Sequence, residues 1–428
     1  MEALPAATLA GLTPRDVDVR FYDDRLEAIP FDEPTDLAAI SIETYTARRA
    51  YQIASDFRRR GVPVVMGGFH ATLCPDEVSR YAESVVVGEA EAVWSQVLDD
   101  ARYGALQKMY WSEGRPSLEL MRPDRSIFRG KRYLPIGLVE AGRGCHFRCE
   151  FCAVQTVFSH TQTRRPVDRI IEEMHALKDE KQLFFFVDDN ITANPRQAKE
   201  LFRALEPLHI RWVSQASIDA AHDEEFLHLL ARSGCRAVLI GFESLNPANL
   251  ASMNKSFNTA RGGFERALQN LRKHRIRVYG TFLFGYDGDT RESFAPTVEF
   301  AKQHGLYLAA FNHLTPFPGT PLYHRLQAEG RLLYDAWWLD DQYSYNRVPF
   351  QPRGISPEEL QRSCLSARRD FYSWGSILRR SMAGVNRSDG FMWRAFFLIN
   401  AAHRGDVSLR DHYPLGEVAW QGPLLPAN

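Results

Sequence analysis

Long apolar runs are missing from this chain of 428 residues, and none approaches the ~18 that a membrane crossing requires. Charge of one sign is missing too. A formal net charge of −1 argues against a dominant nucleic-acid-binding surface, and basic groups such as Arg58-Arg59-Arg60 and Arg379-Arg380 read as solvated helix faces. No basic segment precedes the first apolar stretch and the second residue is acidic, so no signal peptide is expected and the cytoplasm is the default location. No fixed-period repeat points to a solenoid. Cysteine is scarce, six in all, and three of the six fall between positions 145 and 152. That clustering is wrong for a secreted disulfide framework and suits a reducing compartment where thiolates serve as metal ligands. Cys74 and Cys364 read as packing residues.

What is present is the composition of a globular protein with a large core, 45% hydrophobic and 25% charged. The length allows about two or three domains. Over residues 1–103, short apolar runs (Val17 to Tyr22, Leu37 to Ile42, Val62 to Met66, Ser84 to Val87) alternate with helical stretches, the pattern of a doubly wound, Rossmann-like α/β sheet. Residues 104–134 read as a connector. Over 135–320, six strand-like stretches at Ile136, Leu183, Arg211, Ala237, Arg277 and Ala309 are separated by helical ones. Steps of β then α at ~30-residue spacing predict a parallel barrel or part of one. Residues 321–428 form a helical region, with helices expected at about Pro357 to Met382 and Asp389 to Ala402. Their aromatics, including Phe371, Tyr372, Trp374, Phe391, Trp393, Phe396 and Phe397, could line a substrate pocket or rest on a membrane surface; packing against the barrel is the favoured reading.

The segment Gly142-Arg143-Gly144-Cys145-His146-Phe147-Arg148-Cys149-Glu150-Phe151-Cys152 follows the first barrel strand, at the end where barrel active sites are built. Soft thiolates select zinc, copper(I) or iron–sulfur clusters. Structural zinc normally takes four protein ligands, and no second cysteine pair lies nearby. Three cysteines on a 4Fe-4S cluster leave one iron open for chemistry. Zinc stays an alternative on spacing alone.

CxxxCxxC with an aromatic, Phe151, before the last cysteine resembles the radical S-adenosylmethionine (SAM) superfamily, and the similarity runs from about Ile136 to Thr320. The resemblance implies that Cys145, Cys149 and Cys152 hold the cluster and that its open iron chelates the amino and carboxylate groups of SAM. One-electron reduction then cleaves SAM to methionine and a 5′-deoxyadenosyl radical. It implies SAM contacts from Asp188-Asp189-Asn190, from Gln215 and Ser217, and from Glu243 in Gly241-Phe242-Glu243-Ser244, with Gly280 to Gly285 approaching the adenine. Helix capping is the competing role for the two aspartates, and a buried Glu243 without a partner would be costly.

Pro316-Phe317-Pro318-Gly319-Thr320 resembles a motif of the branch with an N-terminal cobalamin-binding domain. In that domain, Ser41 and Thr44, Gly67, Gly68 and His70, and Gly88 and Glu89 are the expected cofactor contacts. His70 is the tempting cobalt ligand, although no DxHxxG motif appears and a polar loop contact is the preferred role. The similarity begins at a helix over Leu4 to Leu12, and the strand expected before it is missing. That strand sits centrally in a flavodoxin-like sheet, so its loss leaves strand edges unpaired; a late start codon or a weakened cobalamin site would explain it. The resemblance implies a cobalamin-dependent enzyme that methylates an unactivated carbon of a small-molecule or lipid-like substrate, fed by an electron donor such as flavodoxin or ferredoxin. Radical oxidation or cyclisation is the alternative. A methylthiotransferase would need three further N-terminal cysteines, and a zinc- or cobalamin-binding regulator is the non-enzymatic reading.

Overall fold

The computed structural model describes residues 1–409 and 411–426. Two parallel sheets organise it. The first contains β1 (Ala38–Ser41), β2 (Val64–Gly67), β3 (Ser84–Val87) and β4 (Met109–Trp111) in that spatial order. The helix Ala47–Arg59 carries small or apolar residues on one face (Ala47, Ala50, Tyr51, Ala54), and burying that face covers the sheet. β4 lies inside the stretch read as connector and pairs Val85↔Met109 through Val87↔Trp111.

Val17 to Tyr22 is not a strand, contrary to expectation. In the flavodoxin order such a strand pairs with the central first strand, and β1 here has a partner only in β2 among the described residues. The segment instead folds onto residues 128–133: Phe21 meets Phe128 edge-on at 5.5 Å, and Tyr133 donates to Asp23 at 2.8 Å.

The second sheet has six strands, all parallel: β5 (Ile136–Val139), β8 (Leu183–Phe186), β9 (Trp212–Gln215), β10 (Cys235–Glu243), β11 (Arg277–Phe284) and β12 (Leu308–His313). A separate antiparallel hairpin, β6 (Gly142–Gly144) with β7 (Gln162–Arg164), follows β5. This is the expected partial (βα)6 barrel. Phe242, Phe282 and Phe311 stack across three neighbouring strands at 5.4 and 5.5 Å between centroids and fix register in the core.

An open barrel leaves β12 as an exposed edge, which side chains after it satisfy. The Tyr372 hydroxyl donates to Ala309 O (2.9 Å) and accepts from Ala309 N (3.3 Å), while Arg368 Nε donates to Phe311 O (3.0 Å). The helical stretch expected from Pro357 to Met382 is two helices, Pro357–Phe371 and Trp374–Ser381, broken where Ser373 caps the second. A 20-residue helix, Gly390–Leu409, packs behind them. Arg380, 1% exposed, joins these elements by donating to the carbonyls of Leu306, Tyr307 and Phe371 and to Asn400 Oδ1. Burial alone brings its pKa down to about 10. Phe371, Tyr372 and Phe396 are buried as the packing reading expects, whereas Trp374 and Trp393 are not.

Candidate functional site

The cysteine loop is closed at its base by the β6–β7 hairpin, which pairs Gly142↔Arg164 and Gly144↔Gln162. Gly144 has φ +93°, and a Cβ there would lie 2.2 Å from Thr161 O, so only glycine fits. Its amide donates to Asp189 Oδ2 at 2.7 Å, fastening the loop to the end of β8. Glu150, between the second and third cysteines, accepts from the Tyr286 hydroxyl (2.5 Å) and from Arg325 Nε (2.7 Å). The loop is therefore held at both ends before any metal arrives.

Cys145, Cys149 and Cys152 are half-buried, unpaired thiols that feel one another's charge. Burial pushes Cys149 up to about 12, against the opposing pull of Lys255. Thiolates in this setting need a compensating positive centre, which an iron–sulfur cluster supplies. Among the described residues no three His, Cys, Asp or Glu side chains gather closely enough to hold a single metal ion, the triplet included. Three thiols in one pinned loop, with polar groups around them, fit a cluster with one open iron.

Asn190 and Ser217 stand beside that loop. Asn190 Nδ2 donates toward Cys145 Sγ at 3.8 Å and to Ser217 Oγ at 3.3 Å, and its Oδ1 accepts from Thr192. Glu243 closes the rim with φ +61° at a bulge in β10 and is 6% exposed. Its carboxylate accepts from Lys255 Nζ at 2.8 Å, so the costly lone burial does not arise. Burial works against the charge on Lys255, but Glu243 and the Cys149 thiol hold it above the usual value. Sequence reasoning missed Lys255, a single basic residue in a turn with no periodicity to mark it. Phe151 packs against the barrel core. Gln215 donates from Nε2 to Asp188 O at 3.4 Å. Asp188 is engaged inside the fold, accepting from the Ala141 amide (2.9 Å) and Arg164 (3.2 Å), and burial raises it to about 7. The aspartate that reaches the cysteine loop is Asp189.

At the first sheet, Gly68 has φ +105° and a Cβ there would meet Ile42 O at 2.7 Å. Ser41 is exposed beside it, and Gly67 has ordinary clearance. Gly88 (φ +90°) donates its amide to Thr72 Oγ1 at 3.0 Å. Three sequence-based assignments need correction here. His70 is fully buried; its Nδ1 meets Thr44 Oγ1 at 3.3 Å and its Nε2 meets Glu77 Oε1 at 3.1 Å, leaving neither nitrogen for cobalt. Glu77 also accepts from Tyr51 and Trp338, so Thr44 and His70 belong to a structural network. Glu89 is taken up by Arg115 and by Arg143 (2.9 Å), bridging the two sheets instead of facing a ligand.

The strand ends of the two sheets face each other. Phe69, directly after β2, meets Phe158 edge-on at 5.6 Å, Gly319 approaches Leu73, and Tyr45 shares a 3.2 Å hydrogen bond with Thr315. Tyr45, Phe317 and Tyr345, all half-buried, form an aromatic cluster beyond β12, where Tyr45 and Phe317 pack against the core of the first sheet.

A model of the radical SAM superfamily matches residues 139–301. Bacteriochlorophyllide d C-12(1)-methyltransferase of Chlorobaculum tepidum is 34% identical over 403 residues, covering 92% of this chain and 86% of that protein. The chain belongs to the radical SAM superfamily. A second Chlorobaculum tepidum protein, bacteriochlorophyllide d C-8(2)-methyltransferase, is 28% identical over 87% of this chain and 86% of its own length. The fold of this radical SAM enzyme is that of TsrM from Kitasatospora setae, a radical SAM methyltransferase solved with cobalamin and a [4Fe-4S] cluster: TM-score 0.60 at 18% identity, over 88% of this chain and 89% of that one. The matched superfamily span starts at the last residue of β5 and stops within the helix Phe294–Gln303, so β12 and the first sheet lie outside it. No helix among the described residues is long and apolar enough to cross a membrane.

Proposed function

We propose that this radical SAM enzyme is a cobalamin-dependent methyltransferase acting on an unactivated carbon of a small, apolar or lipid-like substrate in the cytoplasm. The carrying observation is the apposition of the glycine turn at Gly67-Gly68 with the helix Ala153–Val157 that follows Cys152, through Phe69 and Phe158. The chain divides into a cobalamin-binding unit over 1–103, a connector over 104–134 that lends β4 to the first sheet, a barrel over 135–320 and a helical region over 321–428.

When bound, the reduced cluster supplies the electron that cleaves SAM, and cobalamin carries the methyl group. Cys145, Cys149 and Cys152 would ligate the cluster, while Gly144 and Glu150 hold their loop in shape. Asn190, Ser217 and the Glu243–Lys255 pair would receive the polar parts of SAM, and Gln215 stiffens that rim through Asp188. Ser41, Gly67, Gly68 and Gly88 would let the cobalamin tail approach the backbone. Tyr45, Phe317 and Tyr345 favour an apolar substrate, as do relatives named for bacteriochlorophyllide d and for hopanoid methylation. A flavodoxin or ferredoxin is the expected electron donor.

The test is anaerobic reconstitution with iron, sulfide and hydroxocobalamin, then turnover with methyl-labelled SAM and bacteriochlorophyllide d. We expect about four irons per chain, loss of iron on Cys149→Ala, retained cobalamin absorbance, and label in the product. Deoxyadenosine with an unlabelled, oxidised product would replace methylation by the redox route. A colourless protein containing zinc would overturn the enzyme reading.

A further inference from the structure

The last two long helices leave an apolar surface that the barrel does not use. On Trp374–Ser381 and its cap, Trp374 (52% exposed), Leu378 (58%) and Met382 (61%) recur every fourth residue and so lie along one face. On Gly390–Leu409, Trp393, Leu398 and Leu409 are also exposed. That helix is anchored through Met392, Phe396 and Asn400, which are buried, with Arg380 reaching Asn400 Oδ1 at 3.0 Å; Leu398 and Leu409 lie on its opposite face and Trp393 at the margin of the anchored one. The two helices lie side by side, since Arg404 sits over the Trp374 ring at 5.6 Å.

The charge on this surface has one dominant sign. Residues 374–409 contain five arginines, no lysine, no glutamate and two aspartates. Arg380 is buried; Arg379, Arg387, Arg394 and Arg404 are exposed among or beside the apolar side chains, Arg379 lying 3.7 Å from Glu299 Oε1 at the edge of the face. Of the aspartates, Asp389 is bound to Arg236 at 3.2 Å. Exposed Trp and Leu with arginines at their margin match the boundary of an anionic bilayer, where rings and aliphatic chains enter the headgroup layer and guanidinium groups meet phosphates. Gly390–Leu409 has the length of a membrane span but carries Arg394, Arg404 and Asp406 within it, so it can lie on a bilayer and not cross one.

We infer that the face built by Trp374–Ser381 and Gly390–Leu409 docks this enzyme on the surface of an anionic phospholipid membrane. The face covers the N-terminal ends of the barrel strands: Tyr307, just before β12, donates to Met392 O at 2.6 Å, and Arg277 at the start of β11 donates to Ser388 Oγ at 3.1 Å. The cysteine loop follows the C-terminal end of β5, at the other end of the barrel. Docking therefore leaves the cofactor end in water, open to a soluble electron donor, and the inference stands independently of which group the enzyme transfers.

The test is co-sedimentation of the full-length, reconstituted protein with vesicles of phosphatidylcholine alone or mixed with phosphatidylglycerol. Binding is expected only to the mixed vesicles, weakening with salt. Arg379→Gln and Arg394→Gln should each lower the partition coefficient about fivefold. The pair Trp374→Ser with Leu378→Ser should abolish binding and the accompanying blue shift of tryptophan fluorescence, while SAM cleavage in solution is unchanged. No association with the mixed vesicles at low salt would overturn the inference. So would equal binding to both vesicle types, or a dimer in light scattering that Leu378→Arg splits.

Discussion

Gly144 shows how much of the site is held by single atoms. Replacing it with alanine adds a methyl 2.2 Å from Thr161 O at a φ that only glycine tolerates. Left-handed strain and overpacking together cost about 2–4 kcal/mol. Gly144→Ala should therefore lower the denaturation midpoint and the iron bound after reconstitution, even though all three cysteines remain. Asp188 offers a pH test with a definite sign. Burial lifts its carboxyl from 3.8 to about 7 in the fold, so the native state binds a proton that the unfolded chain has released. Stability from this group is full below pH ~4 and declines as pH rises toward ~7. Asp188→Asn removes that decline, so urea titrations across this range should show the variant gaining on the wild type and a constant gap above it. A gap independent of pH would show that Asp188 is ionised throughout. The cysteines were legible in the sequence because their spacing is local and thiolate chemistry is specific. The Glu150–Tyr286–Arg325 clamp was not, since its members lie 136 and 175 positions apart and each is an ordinary surface residue type. His70 is the opposite case: its chemistry suits a metal and a polar contact to the cofactor is the preferred role on sequence, but Thr44 and Glu77 claim both ring nitrogens.

Elements were more legible than their partners. All six barrel strands and the helix Pro195–Leu205 lie where the hydrophobic pattern puts them, because strands covered on both faces of a parallel sheet are written as short apolar runs. Val17 to Tyr22 has the same pattern without the structure, since a strand needs a neighbour and periodicity says nothing about whether one exists. β4 was overlooked because Met109–Trp111 is too short to show a period. The edge of β12 is the element-level weak point, closed not by another strand but by Tyr372 and Arg368. Removing one hydroxyl there leaves Ala309 N and O unmatched in a buried setting, which costs about 1–3 kcal/mol. Tyr372→Phe should lower the unfolding free energy by that amount with the m-value unchanged. If the edge frays instead of merely weakening, hydrogen exchange at Ala309 and Phe311 should accelerate ahead of that in β10 and β11.

Across the whole molecule, the two sheets are joined at one charged hub. Arg143, in the hairpin next to the first cysteine, meets Glu89 (2.9 Å) and Glu91 (2.8 Å) from the first sheet and Glu140 (2.8 Å) from its own barrel. Arg115 also reaches Glu89 and donates to Arg143 O at 3.2 Å and to Thr163 Oγ1 at 3.0 Å. Burial works against the charge on Arg143, yet the three carboxylates hold it above its ordinary value. All four side chains are less than one-fifth exposed, so removing the cation leaves three carboxylates crowded with little solvent to screen them. Breaking one partner out of a buried ion pair typically costs 3–5 kcal/mol, about what a marginal interdomain contact can lose before it opens. The hub also lies close to the thiols along the chain, because Arg143 is two residues from Cys145. Arg143→Met should therefore loosen the two sheets from each other and disturb the cysteine loop together. Limited proteolysis should show new cleavage between residues 112 and 135, and the iron content should fall below that of the wild type. Adding Glu89→Gln and Glu91→Gln relieves the carboxylate repulsion and should restore much of the stability while leaving the junction open to protease. If the triple variant instead regained full protection, the ion pairs would be dispensable and apolar contacts such as Phe69 with Phe158 would carry the junction alone.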